Sequence, residues 1–389
     1  MQSAVPIFWG FEARLAAFYA ALFILPGIQM PFFPVWLAAR GLDAKMIGIV
    51  LAVPMVARVV AIPIVTRAAD RRDAVRTALV MACLASVVGY ALVGLSGGAL
   101  AILVAYALTS LAATPVMPLS ETYALRGLSA RGRAYGPVRL WGSFAFIVGN
   151  FAAGVAADIL PANDLIWLMV AATLLLALAA FSLPSSMPFT SKPLSPQEPR
   201  QTLLRDPVFV VVVVAASLIQ ASHAFFYGFS AVQWRAAGLD GSVIAALWAL
   251  GVAAEIVLFA VQARLPPFFE PTVLILFGAI GAAVRWGLMA LDPPFQVLPA
   301  LQLLHALSFG ATHLGTLMFL VRHVRPGQAA TAQGHLAVAA GTAMAGATAL
   351  SGLLYADFGV RAYAVMALTA ITGGACGFIA HRARREALD

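Results

Sequence analysis

The chain has 389 residues, 62% of them hydrophobic and only 10% charged. Soluble domains carry about 25% charge, so a water-soluble globular protein is excluded. The net charge of +8 lies mostly between and beyond apolar runs of about 20 residues, each long enough to cross a bilayer, so it reports topology and not a nucleic-acid partner.

Twelve helical spans are predicted, at about 14–38, 46–66, 75–95, 99–124, 136–160, 164–183, 208–234, 242–263, 272–291, 295–320, 330–355 and 360–380. Helix is forced because a lipid-facing backbone must satisfy its own hydrogen bonds. The first span is too long for a signal-peptide core and lacks a basic leader, so it is expected to be retained. Span 2 places Arg58 among VPMVA and VVAIP. Span 4 ends TPVMPLSETYALR, where Pro115 and Pro118 loosen the helix one turn before Glu121. Span 5 carries Arg139, Ser143, Phe146 and Asn150 at helical spacing, one polar-aromatic stripe. A carboxylate and a guanidinium on adjacent helices could pair with each other or hydrogen-bond a ligand.

The longest polar stretch, 184–206, holds five prolines and divides the spans six and six. It is expected to be a cytoplasmic linker between a 1–183 bundle and a 207–389 bundle. In span 7, His223 and Tyr227 stand in SHAFFYGF and could line a pocket. Span 8 buries Glu255 between LGVAA and IVLFA, and span 9 buries Arg285 in GAAVRWGLM. In span 10, Gln302, His305, Phe309 and Thr312 are expected to share one face, with His313 beside it. A histidine's ordinary pKa suits proton handling.

Charges at mid-membrane cost about 2.5–3.5 kcal/mol each on insertion scales, which marks Arg58, Glu121, Arg139, Glu255 and Arg285 as functional candidates. With both termini cytoplasmic, that side holds 16 of the 24 Lys/Arg and the opposite side four, as the positive-inside rule requires. Residues 35–58 and 232–255 look like a repeat, with a G-L-D turn at 41–43 and again at 238–240. The same offset of 197 superimposes Arg58 on Glu255. Two six-span halves in parallel repeat form a transporter architecture with substrate near mid-membrane. No phosphate-binding, dinucleotide, zinc or nucleophile motif occurs, so neither an enzyme nor any cofactor or metal is expected. Cys83 and Cys376 lie in separate spans and read as small core residues.

These patches carry a resemblance. PFFPVWL, PLSE, YGPVRLWGS, SHAFFYGFS, LWALGVAAEIVLF and LHALSFGATH resemble, nearly end to end, the phenylpropionate permease group of the major facilitator superfamily and its relatives, the lactose permease-type proton symporters. The resemblance implies an all-α membrane protein of twelve transmembrane helices in two pseudo-symmetric six-helix bundles. By resemblance Glu121, Arg139 and Phe146 would hold substrate, and Arg285 and His305 would belong to the proton and substrate machinery. The sequence departs from the lactose permease type at Ser308, where an acid is expected, at Gln302 and Ala340, where lysines are, and at His223, where an aspartate is. Thr66 replaces the glycine that leads the loop motif TRAADRR.

Arg58, Arg139 and Arg285 against Glu121 and Glu255 leave an intramembrane balance of 3 − 2 = +1. A positive cavity with aromatic walls favours a small aromatic carboxylate. The leading expectation is a proton-coupled importer in the bacterial inner membrane, monomeric, with protons, membrane lipid and a small molecule as partners. In it Arg139 with Arg58 or Arg285 would bind the carboxylate, and Glu255 or Glu121, with His305, would carry the proton. A sugar or nucleoside symporter is the alternative within transporters. A non-transporting assembly or lipid-delivery factor is the alternative from another class.

Overall fold

The computed structural model describes residues 10–184, 203–264, 266, 269–325 and 328–386. Among them every regular element is helical: α1 (Phe11–Ala39), α2 (Ala44–Arg71), α3 (Val75–Leu95), α4 (Ala99–Ala113), α5 (Val116–Ser129), α6 (Gly136–Ile159), α7 (Ile166–Ser182), α8 (Pro207–Ala221), α9 (Ala224–Ala236), α10 (Gly241–Val261), α11 (Pro271–Met289), α12 (Leu298–Leu303), α13 (Thr312–His323), α14 (Ala329–Phe358) and α15 (Tyr363–Glu386). Eleven stretches of the described residues are long and apolar enough to cross a membrane, so the chain is a multi-pass membrane protein. The last stretch, Thr331–Glu386, is 56 residues long and includes both predicted final spans. A short 3-10 turn at Gly359–Ala362 separates α14 from α15 inside it.

Three of the spans are broken helices. The fourth, Ala99–Ser129, changes from α4 to α5 at Thr114 and Pro115, where the sequence places its loosening prolines. Pro207–Ala236 breaks at Ser222 and His223. Phe295–His323 contains a six-residue π-helical segment, Ala306–Ala311.

The described chain forms two compact units. The first comprises Met1–Leu42, Val56–Lys192 and Asp240–Ser242. Here α1 packs on α6 and α7, and α3 packs on α4, α5 and α7. Glycine makes the α1–α6 contact close. A Cβ on Gly149 would lie 2.6 Å from the Ile24 carbonyl oxygen, and one on Gly27 would collide with the Phe146 carbonyl oxygen. Such small-residue contacts are how helices approach in lipid, where no hydrophobic force drives them together. In this unit the Asp158 carboxylate accepts the backbone N–H of Gly241 at 2.5 Å and of Ser242 at 3.0 Å.

The second unit comprises Asp43–Met55, Pro193–Leu239 and Val243–Asp389. There α8 packs on α14 and α15, while α11 packs on α13, α15 and the π segment. Asp43–Met55 joins it through Gly48, whose added Cβ would stand 2.8 Å from the Gly352 backbone. The 184–206 linker expected from the sequence lies almost wholly outside the described residues.

The repeat is visible locally. Gly41 and Gly238 both take positive φ, +80° and +87°. Leu42 N–H bonds the Leu37 carbonyl at 3.2 Å, and Leu239 N–H bonds the Trp234 carbonyl at 2.9 Å. Each turn is thus a glycine-based helix cap of the same kind, at the offset the sequence indicates.

Asp206 caps α8 by accepting the N–H groups of Val208 (2.9 Å) and Phe209 (3.1 Å), and its other oxygen meets His323 Nε2 at 2.6 Å. Burial alone would raise its carboxyl pKa, but the His323 and backbone hydrogen bonds outweigh that and hold it below the ordinary value. A depressed carboxylate contributes stability above its unfolded pKa, about 3.9, and loses that contribution as pH falls through the folded value. Asp206→Ala should therefore cost about 1 kcal/mol at neutral pH, seen as a lower thermal midpoint. The difference from wild type should shrink below about pH 4.

Candidate functional site

The second unit gathers most of the predicted residues. Arg285, on α11, is 1% exposed and donates to three neighbours: Nη2 to Gln302 Oε1 at 2.6 Å, and Nη1 to His305 Nδ1 at 3.0 Å and Ser308 Oγ at 3.4 Å. Its guanidinium carbon also sits 4.7 Å from the Phe226 ring centre and 4.5 Å from that of Trp286. No carboxylate bridges it directly among the described residues. Neutral acceptors and π-faces carry this charge.

Donor chemistry fixes the direction of the network. Arginine can only donate, so His305 Nδ1 accepts, and the neutral ring carries its proton on Nε2. That nitrogen lies 3.5 Å from Glu255 Oε2. His223 Nδ1 faces the carbonyls of Ile219 and Gln220, both at 3.2 Å, and so bears the proton there. Its Nε2, 3.1 Å from Ser308 Oγ, then accepts the serine hydroxyl. A single polar chain therefore runs His223–Ser308–Arg285–His305–Glu255. His223 is fully buried with both nitrogens engaged, and in this unit it forms one end of the network. Ser308 stands where resemblance expects an acid, and it is the joint of the chain.

Local backbone makes this possible. Gly281 and Gly278 on α11 admit the π segment: added Cβ atoms would stand 2.7 Å from Leu307 Cβ and would collide with Thr312 Oγ1, respectively. π-helical turns are often found at functional sites. The wider turn also corrects the predicted face of span 10. Thr312 is buried against Gly278, while His305, Phe309 and the exposed His313 stack in a column, with centroids 5.2 and 5.9 Å apart. Gly281→Ala should cost about 1–3 kcal/mol through overpacking, read as a lower thermal midpoint with weakened substrate-induced stabilisation.

Aromatic rings surround the chain. Trp248 stacks on Phe226 at 4.9 Å and lies 5.8 Å from Tyr227. Trp286 stacks on Tyr363 at 5.7 Å and donates Nε1–H to Ser222 Oγ at 2.9 Å. Sequence reading named Tyr227 but missed Trp248, Trp286 and Tyr363, since an aromatic in an apolar span carries no signal of its orientation.

The first unit holds Arg58, Glu121, Arg139 and Phe146. Glu121 and Arg58 are exposed. Glu121 and Arg139 form no ion pair. The Arg139 guanidinium lies 3.9 Å over the Phe23 ring, and Gly142 makes the room, since its added Cβ would stand 2.7 Å from Phe23 Cδ2. Phe146 follows two helical turns along α6, half-buried. A further polar set went unpredicted: Gln29 donates to Tyr106 Oη at 2.6 Å and accepts from Tyr90 at 2.7 Å. A lone amide inside ILPGIQMPFF was the available signal.

Broken helices around a buried ionisable chain are features that membrane transporters use to carry polar groups through lipid. The protein belongs to the MFS_1 like family, whose model matches residues 12–365 and whose members are transporters and not enzymes. It is 30% identical over 365 residues to a probable 3-phenylpropionic acid transporter of Escherichia coli (strain K12), covering 92% of this chain and 94% of the relative. It is 28% identical over 294 residues to a maltose permease of Geobacillus stearothermophilus, covering 74% and 73%. The crystal structure of the nucleoside transporter NupG superposes with a TM-score of 0.79 at 15% identity, covering 96% of this chain and 99% of that one. An inward-facing, occupied bacterial homolog of the human lysosomal transporter Spinster gives 0.70 at 15% identity, covering 95% and 96%. These two structures share the fold.

Proposed function

We propose that this protein is a proton-coupled symporter that imports a small aromatic carboxylate by alternating access. The observation that carries the reading is the Arg285 chain. A fixed buried cation amid Phe226, Trp286 and Trp248 suits an aryl-alkanoic acid, and the adjoining His305–Glu255 pair suits a proton. The likeness to the 3-phenylpropionic acid transporter supports the same substrate class. In this reading the substrate-binding groups are Arg285 in the second unit and Arg58, Glu121, Arg139 and Phe146 in the first, and the proton-handling groups are Glu255, His305 and Glu121. Tyr227, Gln302, His313 and His223 line or support the pocket. The 56-residue final stretch crosses twice, giving twelve spans in two six-helix bundles, 1–183 and 207–389. Both termini lie on the cytoplasmic side of the bacterial inner membrane, and the monomer is the working unit.

A sugar or nucleoside is the second reading. Glu121 and Arg139, unpaired with each other, together offer an acceptor and a fork of donors to hydroxyl groups. A thermal-shift screen separates the two, because a binder raises apparent stability by mass action. 3-Phenylpropionate should raise the midpoint and maltose or uridine should not; the reverse pattern selects the second reading. Proteoliposome uptake of 3-phenylpropionate should rise at least about tenfold with an imposed inward proton gradient. Equal rates with and without the gradient would exclude coupling.

A further inference from the structure

We propose that the N-terminal half of α1 carries a site for one anionic two-chain phospholipid. Two grooves flank this part of the helix. One, of about 880 Å³, lies between α1 and α6 and is lined by Ala13, Ala16, Pro137 and Trp141. The other, of about 690 Å³, lies between α1 and α7 and is lined by Ala21, Ile24, Leu175 and Ala179. Ala17 and Ala20 belong to both, so the grooves are separated only by a ridge of methyl groups. Their walls are nearly all hydrocarbon, and they lie along a helix long and apolar enough to cross a membrane. That is the shape of two acyl chains straddling one helix.

The length agrees. Ala13 to Ile24 rises about 16 Å along the helix, about half of a 30 Å hydrocarbon core. The polar atoms cluster at one end of the grooves, and there the charge is positive. Arg133 lines the first groove and Arg14 the second. Arg133 is 68% exposed at its side chain and bridges Glu12 at 3.1 Å. Arg14 reaches the Ser182 carbonyl at 3.2 Å. Arg131 lies against the Phe11 ring, and Arg76 bonds the Leu183 and Phe181 carbonyls at 2.6 and 3.0 Å. Among the charged groups that line the two grooves, the guanidiniums of Arg133 and Arg14 outnumber the carboxylate of Glu12 and complement a phosphate bearing net negative charge. Trp141, 55% exposed, has the amphipathic ring found at headgroup level. The positive-inside reading makes this the cytoplasmic leaflet, but the site rests on the grooves and the arginines and is independent of the transported substrate.

The test uses the full-length protein in a mild detergent, with added dioleoyl phosphatidylglycerol or dioleoyl phosphatidylcholine and thermal unfolding as the readout. Phosphatidylglycerol should raise the midpoint by several degrees more than phosphatidylcholine, and native mass spectrometry should show one tightly held copy. Ala17→Leu with Ala20→Leu, which fills the ridge between the grooves, should abolish that difference while leaving the midpoint in detergent alone unchanged. Arg14→Gln with Arg133→Gln should shrink it without filling the grooves. Equal shifts from the two lipids, or a full phosphatidylglycerol effect in the leucine variant, would overturn the proposal. So would efficient disulfide dimers of Ala17→Cys in membranes, which would make this face a contact between copies.

Discussion

Arg285→Met should abolish transport and leave the protein no less stable. Arg285 is buried with no direct carboxylate partner among the described residues, so its desolvation, worth several kcal/mol, is only partly offset by Gln302, His305, Ser308 and two aromatic faces. Methionine fills similar space, and its sulfur packs well on the Phe226 and Trp286 rings. The groups left behind can re-pair: Ser308 already faces His223, and the Gln302 amide can turn. The thermal midpoint should therefore stay within about 2 °C of wild type or rise. Uptake should fall at least about 100-fold, equivalent to about 2.7 kcal/mol of lost stabilisation along the transport path. Arg285→Lys keeps the charge but not the fork, and should lose transport nearly as far. A midpoint many degrees lower for Arg285→Met would mean the arginine is kept for structure. Retained uptake would remove it from the mechanism.

Glu255→Gln should eliminate pH-driven uptake, again by about 100-fold or more, while substrate exchange across the membrane continues. The argument comes from the tautomer. Arg285 occupies His305 Nδ1 as donor, so a second proton on that nitrogen would set two donors against each other. The free exchange position is His305 Nε2 with Glu255 at 3.5 Å. Glu255 is therefore the group that takes up and gives away the proton in this reading, and glutamine, always neutral, holds the site in its loaded form. Counterflow of labelled 3-phenylpropionate measures exchange, and a pH jump measures coupling. Loss of both would place Glu255 in binding; loss of neither would exclude it.

These two residues also show where sequence reading ends. Helix type and the approximate spans were legible because lipid permits few alternatives, and apolar length alone then marks each crossing. The glycine turns at 41 and 238 were legible because their signal is local. Arg285 and His305 stood out because a polar group inside an apolar run is costly enough to need a reason. Partnership was not legible. Each residue turns a helix by about 100°, and a π segment adds to the register error, so Thr312 was assigned the face that His313 shares. Ser308, read as a missing acid, proved to be the link between His223 and Arg285. Arg58, matched to Glu255 by the repeat, stands exposed on α2 while Glu255 pairs with His305. By itself the sequence determined a helical membrane protein with buried charges and an internal repeat, because burial in lipid constrains every residue in the same way. Only the tertiary structure decided which charges share hydrogen bonds, because that depends on helix rotation and on glycine contacts of under 3 Å between distant segments.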